Sequence, residues 1–175
     1  MSTLEELTQL HTDVEGEALE HLQRLLVAWR LLSDLAFSDL LLLVPIEGED
    51  GRRFVVCGQV RPTTGQTLYE ADLVGQVVTE EERPAATRAL HRAEVVEGAT
   101  EHLGDGREIE IEAIPVAFRH RTVAVLCREF DTLSGRRVGD LERIYMDVYD
   151  DLVHMVVDGT FPFAREDLEI EGAPR

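Results

Sequence analysis

The residues best suited to bind a small molecule are four arginines and aromatic or hydroxyl groups in the middle of the chain. Arg61 follows an apolar segment, Thr63 and Tyr69 come shortly after it, and Arg83 and Arg88 lie further along. Guanidinium groups bind carboxylates and phosphates in a bidentate geometry, and an aromatic ring can stack on a ligand. These residue types predict a small-ligand pocket at one side of a sheet. The alternative is that some of the arginines, Arg92 included, only offset the surrounding acids.

Two cysteines, Cys57 and Cys127, are the thiols with which nucleophilic or redox chemistry would begin. They lie far apart in apolar segments, which favours reduced core thiols over a disulfide framework. As strand residues they could line one pocket, but strand cysteines usually act as small buried hydrophobic residues. No Gly-x-Ser-x-Gly motif is present, and Ser134 suits a loop. Thiol chemistry is therefore the alternative, and we predict no catalytic residue.

Several other chemistries lack the residues that they need. The six histidines show neither His-x-x-x-His spacing nor a neighbouring Cys-x-x-Cys pair, so we predict no metal site. The chain contains no lysine and no asparagine, and all 17 of its basic residues are arginine. A Walker A lysine, a Schiff-base lysine and the magnesium-binding asparagine of protein kinases are thereby excluded. The sequence identifies no cofactor.

Composition restricts the partners and the compartment. A length of 175 residues with 44% hydrophobic content suits one compact domain. The formal charge of −18 repels nucleic acid and anionic membranes, so neither is an expected partner. The longest apolar run, residues 40–46, is too short to span a bilayer, and the N-terminus has no signal-peptide pattern. We expect a cytoplasmic protein.

Apolar periodicity predicts the elements of the first half of the chain. After a polar segment over residues 1–15, a helix begins at Gly16, with apolar residues spaced alternately by four and three. The apolar runs 39–46 and 54–60 predict a buried strand and its hairpin partner. Pro62 lacks a backbone donor, so the chain must leave the sheet there.

The second half begins irregularly and becomes regular. Within the poorly patterned segment 66–92, Pro84 is well placed to begin a helix that ends near His91. Residues 94–101 are a possible strand. Residues 108–113 alternate glutamate with apolar residues, and 114–118 carry the opposite parity, which indicates a bulge near Pro115 or cover on both faces. The uniformly apolar segment 122–127 predicts a central strand.

The last helix carries the seam of a heptad repeat, which requires a partner helix. Val138 begins the seam, and the residues that we predict at a dimer interface continue it: Leu141, Tyr145, Val148, Leu152 and Met155. After Gly159 the segment containing Pro162 ends the helix, and the remaining residues are acidic and poor in apolar side chains. The alternative is that the two terminal helices pack on each other and on their own sheet within a monomer.

These elements predict an α+β fold. An antiparallel sheet would carry the N- and C-terminal helices on one face and the irregular helical insert on the other. We expect a polar tail over residues 1–15, a sensory-type domain over 16–159, and the start of a linker over 160–175.

Four segments of the chain, taken in order, resemble one family. They are residues 29–39 (WRLLSDLAFSD), 61–65 (RPTTG), 123–126 (VAVL) and 159–162 (GTFP). Together they resemble the N-terminal sensor domain of actinobacterial two-component histidine kinases of the PdtaS type. The resemblance implies a GAF-like fold, downstream PAS and kinase domains in cis, and a response regulator that the kinase addresses. Bilin-binding signatures are absent, so a light sensor is not implied.

The resemblance implies sensing without naming the signal, because GAF domains bind various small molecules or only dimerise. Our main hypothesis is a non-catalytic sensor domain that binds a small ligand and relays its state through paired terminal helices of a homodimer. Two alternatives stay open. One is a thiol enzyme that resembles the GAF-fold methionine sulfoxide reductases, and the other is a dimerisation module without a ligand.

Overall fold

The computed structural model describes residues 3–46, 52–63, 67–102, 106–131 and 140–162. Within these ranges six strands form one sheet in the order β3-β2-β1-β6-β5-β4, and every neighbouring pair is antiparallel. The elements are α1 Leu4–His11, α2 Gly16–Ala36, β1 Asp39–Ile46, β2 Arg53–Val60, β3 Val77–Thr79, α3 Pro84–Arg92, β4 Val96–His102, β5 Glu108–Phe118, β6 Arg121–Asp131 and α4 Asp140–Asp158. The predicted α+β fold is confirmed.

The sheet is covered on both faces. On one side, which we call the helix face, α1, α2 and α4 pack against Leu40, Leu42 and Val44 of β1. On the other side, the insert face, α3 and the segment before it pack against Leu41 and Leu43. Because side chains alternate along a strand, β1 must be apolar at nearly every position to serve both cores. This explains the continuous apolar run.

Cover on both faces also explains the parity change in β5. Ile109 and Ile111 belong to the core of the insert face, whereas Ile114 and Val116 belong to the core of the helix face. The register irregularity between β5 and β6 falls at Val116, beyond Pro115. The strand is therefore regular where the parity of its apolar residues changes.

Helices α2 and α4 run antiparallel beside each other. Tyr145, near the start of α4, lies 6.1 Å from the ring of Phe37, which caps the C-terminus of α2. At the other end, Gly159 follows α4 and lies against Ala117, while His21 of α2 packs on the ring of Phe118. The beginning of each helix therefore lies beside the end of the other.

Helix α1 lies in the segment expected to be a polar tail. The Thr3 side chain accepts a hydrogen bond from the Glu6 backbone, and the Glu6 carboxylate accepts one from the Thr3 backbone, which forms a capping box. Leu4 and Leu7 are buried against the core of the helix face. Two apolar residues are thus sufficient to dock this helix, although they leave little periodicity in the sequence.

Candidate functional site

The structure divides the five predicted ligand-binding residues among three places. Tyr69 and Arg83 meet in a buried polar cluster between α3 and the sheet. Arg61 and Thr63 line an open cleft at the exit of β2. Arg88 is exposed on α3. The five residues therefore do not form one pocket in this conformation.

The buried cluster is built around Glu129 of β6, which has no exposed surface. Arg83 donates from Nη1 to Glu129 Oε1 at 2.7 Å, and the Tyr69 hydroxyl donates to Oε2. Arg83 Nη2 also lies 3.5 Å from the Tyr69 oxygen. The sequence interpretation missed Glu129 because it ended the strand at Cys127. Strand alternation was the available signal, since Val125 and Cys127 face the same core as Glu129.

Glu101 of β4 brings a second carboxylate to the same arginine. Its Oε2 lies 3.7 Å from Arg83 Nη1, and its Oε1 accepts a 2.9 Å hydrogen bond from the Ala85 backbone in the first turn of α3. A carboxylate is favourable there because the first amides of a helix lack partners within the helix. Glu101 therefore fixes the start of α3 to the edge of the sheet.

Asp39 fastens the loop that carries Tyr69. Its carboxylate accepts a 2.9 Å hydrogen bond from Thr67 Oγ1 and a 2.7 Å hydrogen bond from the Leu68 backbone. In the β1–β6 register Asp39 lies opposite Glu129. The loop, α3, β1, β4 and β6 are thus joined by one polar network.

Burial dominates the electrostatics of this network. Burial raises the pKa of the Glu129 carboxyl, and the charge of Arg83 opposes that shift. Burial also raises the pKa of Glu101 and of Asp39, each opposed first by a backbone hydrogen bond. Burial together with the Glu129 charge raises the pKa of Tyr69. The Tyr69 hydroxyl is therefore a hydrogen-bond donor at neutral pH. The carboxylates of Glu129 and Glu101 already occupy the positions at Arg83 that an anionic ligand would need.

The cleft at the β2 exit has a volume of about 330 Å³. Thr63 is tied to α2, since its backbone and its hydroxyl both donate to Asp34 Oδ1. Arg61 Nη2 donates to the Ala71 carbonyl at 3.0 Å. Strand β2 ends at Val60, directly before the residues that were predicted to leave the sheet. The remaining lining of the cleft comes from Arg30, Gln59, Val60, Pro62 and Asp72.

A second polar cluster lies on the helix face, centred on Arg128 of β6. Arg128 Nη1 donates to Glu112 Oε2 at 3.2 Å, and the hydroxyl of Tyr149 in α4 donates to the same oxygen at 2.9 Å. The guanidinium also contacts Ser38 Oγ at 3.2 Å and lies 5.2 Å from the centre of the Tyr149 ring. This cluster connects α4 to the sheet and to the end of α2.

The predicted interface residues of α4 differ in exposure. Tyr145 and Val148 are exposed, whereas Leu152 and Met155 are half-buried against the core of the helix face. Leu141 lies within α4, but its side chain is outside the described residues, as is all of Val138. Ile144 is also exposed, and sequence reasoning did not select it because it lies outside the seam.

The two thiols do not share a pocket. Cys57 belongs to the core of the helix face and Cys127 to the core of the insert face, so they lie on opposite sides of the sheet. Burial raises the pKa of the Cys57 thiol to about 12, and burial likewise raises the pKa of Cys127 well above its usual value. Both are protonated at neutral pH. The possibility that they line one pocket is wrong.

Within the described ranges, no group of three or more histidine, cysteine, aspartate or glutamate side chains is arranged to hold a metal ion. A search of the same residues finds no helix long and apolar enough to cross a membrane.

The architecture is that of a GAF sensor domain, with a six-stranded antiparallel sheet between terminal helices and a helical insert. The sequence model of the family described as "Histidine kinase PdtaS, GAF domain" matches residues 4–149. The chain belongs to this family, which confirms the resemblance that four short segments indicated.

Relatives of known name agree with this assignment. The sensor histidine kinase PdtaS of Mycolicibacterium smegmatis is 36% identical over 93% of this chain and 32% of the relative. The protein of the same name from Mycobacterium tuberculosis is 36% identical over 100% of this chain and 35% of its own length. A solved structure, the sensor region of a sensor histidine kinase, is 34% identical with a TM-score of 0.77, over 94% of this chain and 57% of that one. The chain thus spans about a third of the curated relatives.

Proposed function

We propose that the chain is the cytoplasmic sensory domain of a two-component histidine kinase. The family assignment supports a sensor role, and the name sensor histidine kinase carried by the relatives, of which the chain spans a third, supports a kinase domain in cis with a response regulator as its partner. A PAS domain between them is what the resemblance implies. Two buried, unpaired thiols suit a reducing compartment. The domain would bind a small signal and pass its state to the kinase through dimeric terminal helices.

One observation carries the dimeric relay: the two long helices present apolar side chains to solvent. Val27 of α2 is 85% exposed, and in α4 Ile144 is 58% and Val148 44% exposed. The opposite side of α4 is satisfied inside the domain, where Tyr149 and Val156 are fully buried. Full burial of a fully exposed side chain of this kind is worth roughly 1.5 to 3 kcal/mol, so covering these partly exposed residues contributes a fraction of that per residue to pairing through α2 and α4.

The test of the dimer replaces Ile144 and Val148 with glutamate in one variant. We expect a folded monomer where the unsubstituted chain is a dimer in light scattering at high micromolar concentration. Leu152 and Met155 are left unchanged because they also pack on the core.

The matched control is Val77→Glu, which places a charge at an exposed valine of β3, outside the sequence of both helices. It should stay dimeric. A monomeric unsubstituted chain, or a dimer that survives the substitution of Ile144 and Val148, would contradict the relay.

The ligand is proposed to be a small anion held at the β2 exit. Arg61 and Arg30 both line the open cleft there, and Thr63 is held in place by Asp34. Nucleotides and tetrapyrroles should be screened by thermal shift, and a hit titrated against Arg61→Ala. We expect Arg61→Ala to weaken binding with little change in melting temperature, and Arg88→Ala on α3 to bind normally.

A dimerisation module without a ligand is the second candidate, and the buried cluster favours it. Tyr69, Arg83 and Glu129 occupy the space between α3 and the sheet with the protein's own bonded groups. If no compound in the screen shifts the melting temperature, and the glutamate substitution of Ile144 and Val148 converts a dimer into a monomer, this candidate is favoured over the sensor.

A further inference from the structure

Strand β6 carries two adjacent residues of opposite charge that point to opposite faces of the sheet. Arg128 faces α4, and Glu129 faces α3. Their Cα atoms are about 3.8 Å apart, since they share one peptide unit. A rotation of the strand that moves one side chain must therefore move the other.

Each of the two residues is held by several partners. Glu129 is bonded by Tyr69 from the loop and by Arg83 at the start of α3. Arg128 is bonded to Glu112 of β5 and contacts Ser38 after α2. Neither side chain can move without breaking one of these hydrogen bonds. A displacement of the insert is therefore passed to strand β6.

Arg128 also borders a second group of carboxylates besides Glu112. A cleft of about 540 Å³ opens beside it, lined by Glu97, Glu110 and Asp150 together with Glu112 and Phe130. Asp150 of α4 is exposed, and the charge of Arg128 lowers its pKa against the larger raising effect of burial. The guanidinium therefore lies between a buried carboxylate on β5 and solvent-facing carboxylates, one of which is on α4.

We propose that Glu129 and Arg128 form a two-sided coupling element that transmits a change at the insert to α4, with Arg128 exchanging Glu112 for Asp150. The inference rests on the proposed relay through α4 and names the residues that would drive it. When Arg128 leaves Glu112, the Tyr149 hydroxyl stays bonded to a buried carboxylate that has lost its counter-charge. An unpaired buried charge costs more than a pair with exposed Asp150 returns, so the contact of α4 with the sheet is weakened.

The test is amide hydrogen exchange of α4 in a Tyr69→Phe variant of the chain. This substitution removes one hydroxyl from the insert side of Glu129 and adds no charge. We expect the amides of α4 around Tyr149 to exchange about twofold to tenfold faster, the range set by the net contribution of one hydrogen bond. Amides of α2 around Leu25, which report opening of the whole domain, should accelerate less than those of α4.

The control is Thr87→Val, which also removes one hydroxyl from the insert. Among the described residues, Thr87 Oγ1 donates to the carbonyls of Glu80 and Arg83 and has no hydrogen bond to a side chain of β6. It should leave exchange in α4 unchanged. Equal effects of the two variants on α4, or equal changes in α2 and α4, would overturn the proposal.

A second background tests the role of Arg128 itself. In Arg128→Met the stem is kept and the charge is lost, so Tyr69→Phe should no longer change exchange in α4. If the acceleration persists there, Arg128 is not the transmitter. Should Arg128→Met fail to fold, the comparison of Tyr69→Phe with Thr87→Val decides alone. Because exchange needs neither ligand nor kinase, a negative result leaves the sensor assignment intact.

Discussion

At the scale of single residues, Arg83 was predicted to bind a ligand, but in the structure it forms ion pairs within the fold. Its guanidinium lies between Glu129 and Glu101 and is itself nearly buried. Two carboxylates share this one arginine, and the charge of Arg83 opposes the effect of burial on the pKa of Glu129, so Arg83 is the group that offsets the burial of Glu129. Removing it would leave the Glu129 carboxylate in the core with the Tyr69 hydroxyl as its one remaining side-chain partner among the described residues.

We predict that Arg83→Met lowers the free energy of unfolding by about 3 kcal/mol, because breaking one side of a buried ion pair leaves an uncompensated charge. Arg88→Met is the matched control on the same helix, since Arg88 is exposed and should change stability by less than about 0.5 kcal/mol. Urea unfolding followed by circular dichroism measures both. Equal values for the two variants would contradict a structural role for Arg83.

His21 makes a second prediction at this scale. It packs on the ring of Phe118, and burial, aided by the charge of Arg24, lowers its pKa. The unfolded chain therefore binds the proton more readily, and stability must fall as the pH decreases below the ordinary histidine pKa of about 6.5. The contribution of neutral His21 to stability is fully present above a pH of about 6.5.

The measurement is urea unfolding at pH 7.5 and at about pH 5.5. We expect the loss of stability between the two to be smaller in His21→Leu than in the unsubstituted chain. His154→Leu, at an exposed histidine of α4, should keep the full loss. A loss that is the same in all three proteins would mean that groups other than His21 set it. The buried carboxyls Glu129, Glu101 and Asp39, whose pKa values burial raises, act in the opposite direction, because the folded state binds their protons more readily.

Residue types in the sequence indicated which side chains could bind a ligand, but not which of them meet. Tyr69 and Arg83 do meet, but Arg61, Thr63 and Arg88, which were predicted for the same site, lie elsewhere. Glu129, the shared partner of Tyr69 and Arg83, lies 60 positions from Tyr69 and is brought to it only by the order of strands in the sheet. A contact of that kind has no local pattern in the chain.

At the scale of elements, the contact between α2 and β2 depends on a missing side chain. A Cβ added to Gly58 would lie 2.7 Å from Cη2 of Trp29 and 2.9 Å from Cδ2 of Leu26. Glycine ordinarily weakens a strand, and here it allows the indole of α2 to approach the sheet closely.

We predict that Gly58→Ala destabilises the chain by about 1 to 3 kcal/mol through this overlap. In a Trp29→Phe background the penalty of Gly58→Ala should shrink, because the smaller ring no longer reaches the new methyl group. Circular dichroism in urea gives all four stabilities. An unchanged penalty in the Phe background would place the strain elsewhere.

Elements with a strong apolar period were predictable, and elements docked by a few residues were not. The starts of α2, α3 and β1 agree with the predicted ones, because each carries a clear period or a proline at its first turn. Strand β3 was missed since it has three residues, and α1 since it docks through Leu4 and Leu7. The end of β6 was missed because polar bonds, rather than apolar residues, hold Arg128 and Glu129 in the sheet.

At the scale of the whole molecule, one sheet separates two cores. The core of the helix face contains Cys57, and the core of the insert face contains Cys127. The central strands contribute to both, so neither core can lose its packing without exposing the same backbone. This shared sheet predicts that the two halves unfold together.

The thiols give a direct test of that cooperativity. Under native conditions at neutral pH, both cysteines should react slowly with N-ethylmaleimide and at the same rate, because each becomes accessible only when the whole domain opens. Peptide mass spectrometry measures the two sites separately, and the chain unfolded in urea supplies the intrinsic rates for normalisation. If Cys127 reacts about tenfold faster than Cys57, the insert opens without the rest of the domain, and the two halves do not unfold together. Rapid reaction of either thiol in the folded protein would instead revive the thiol-enzyme alternative, since both raised pKa values predict protonated, unreactive groups.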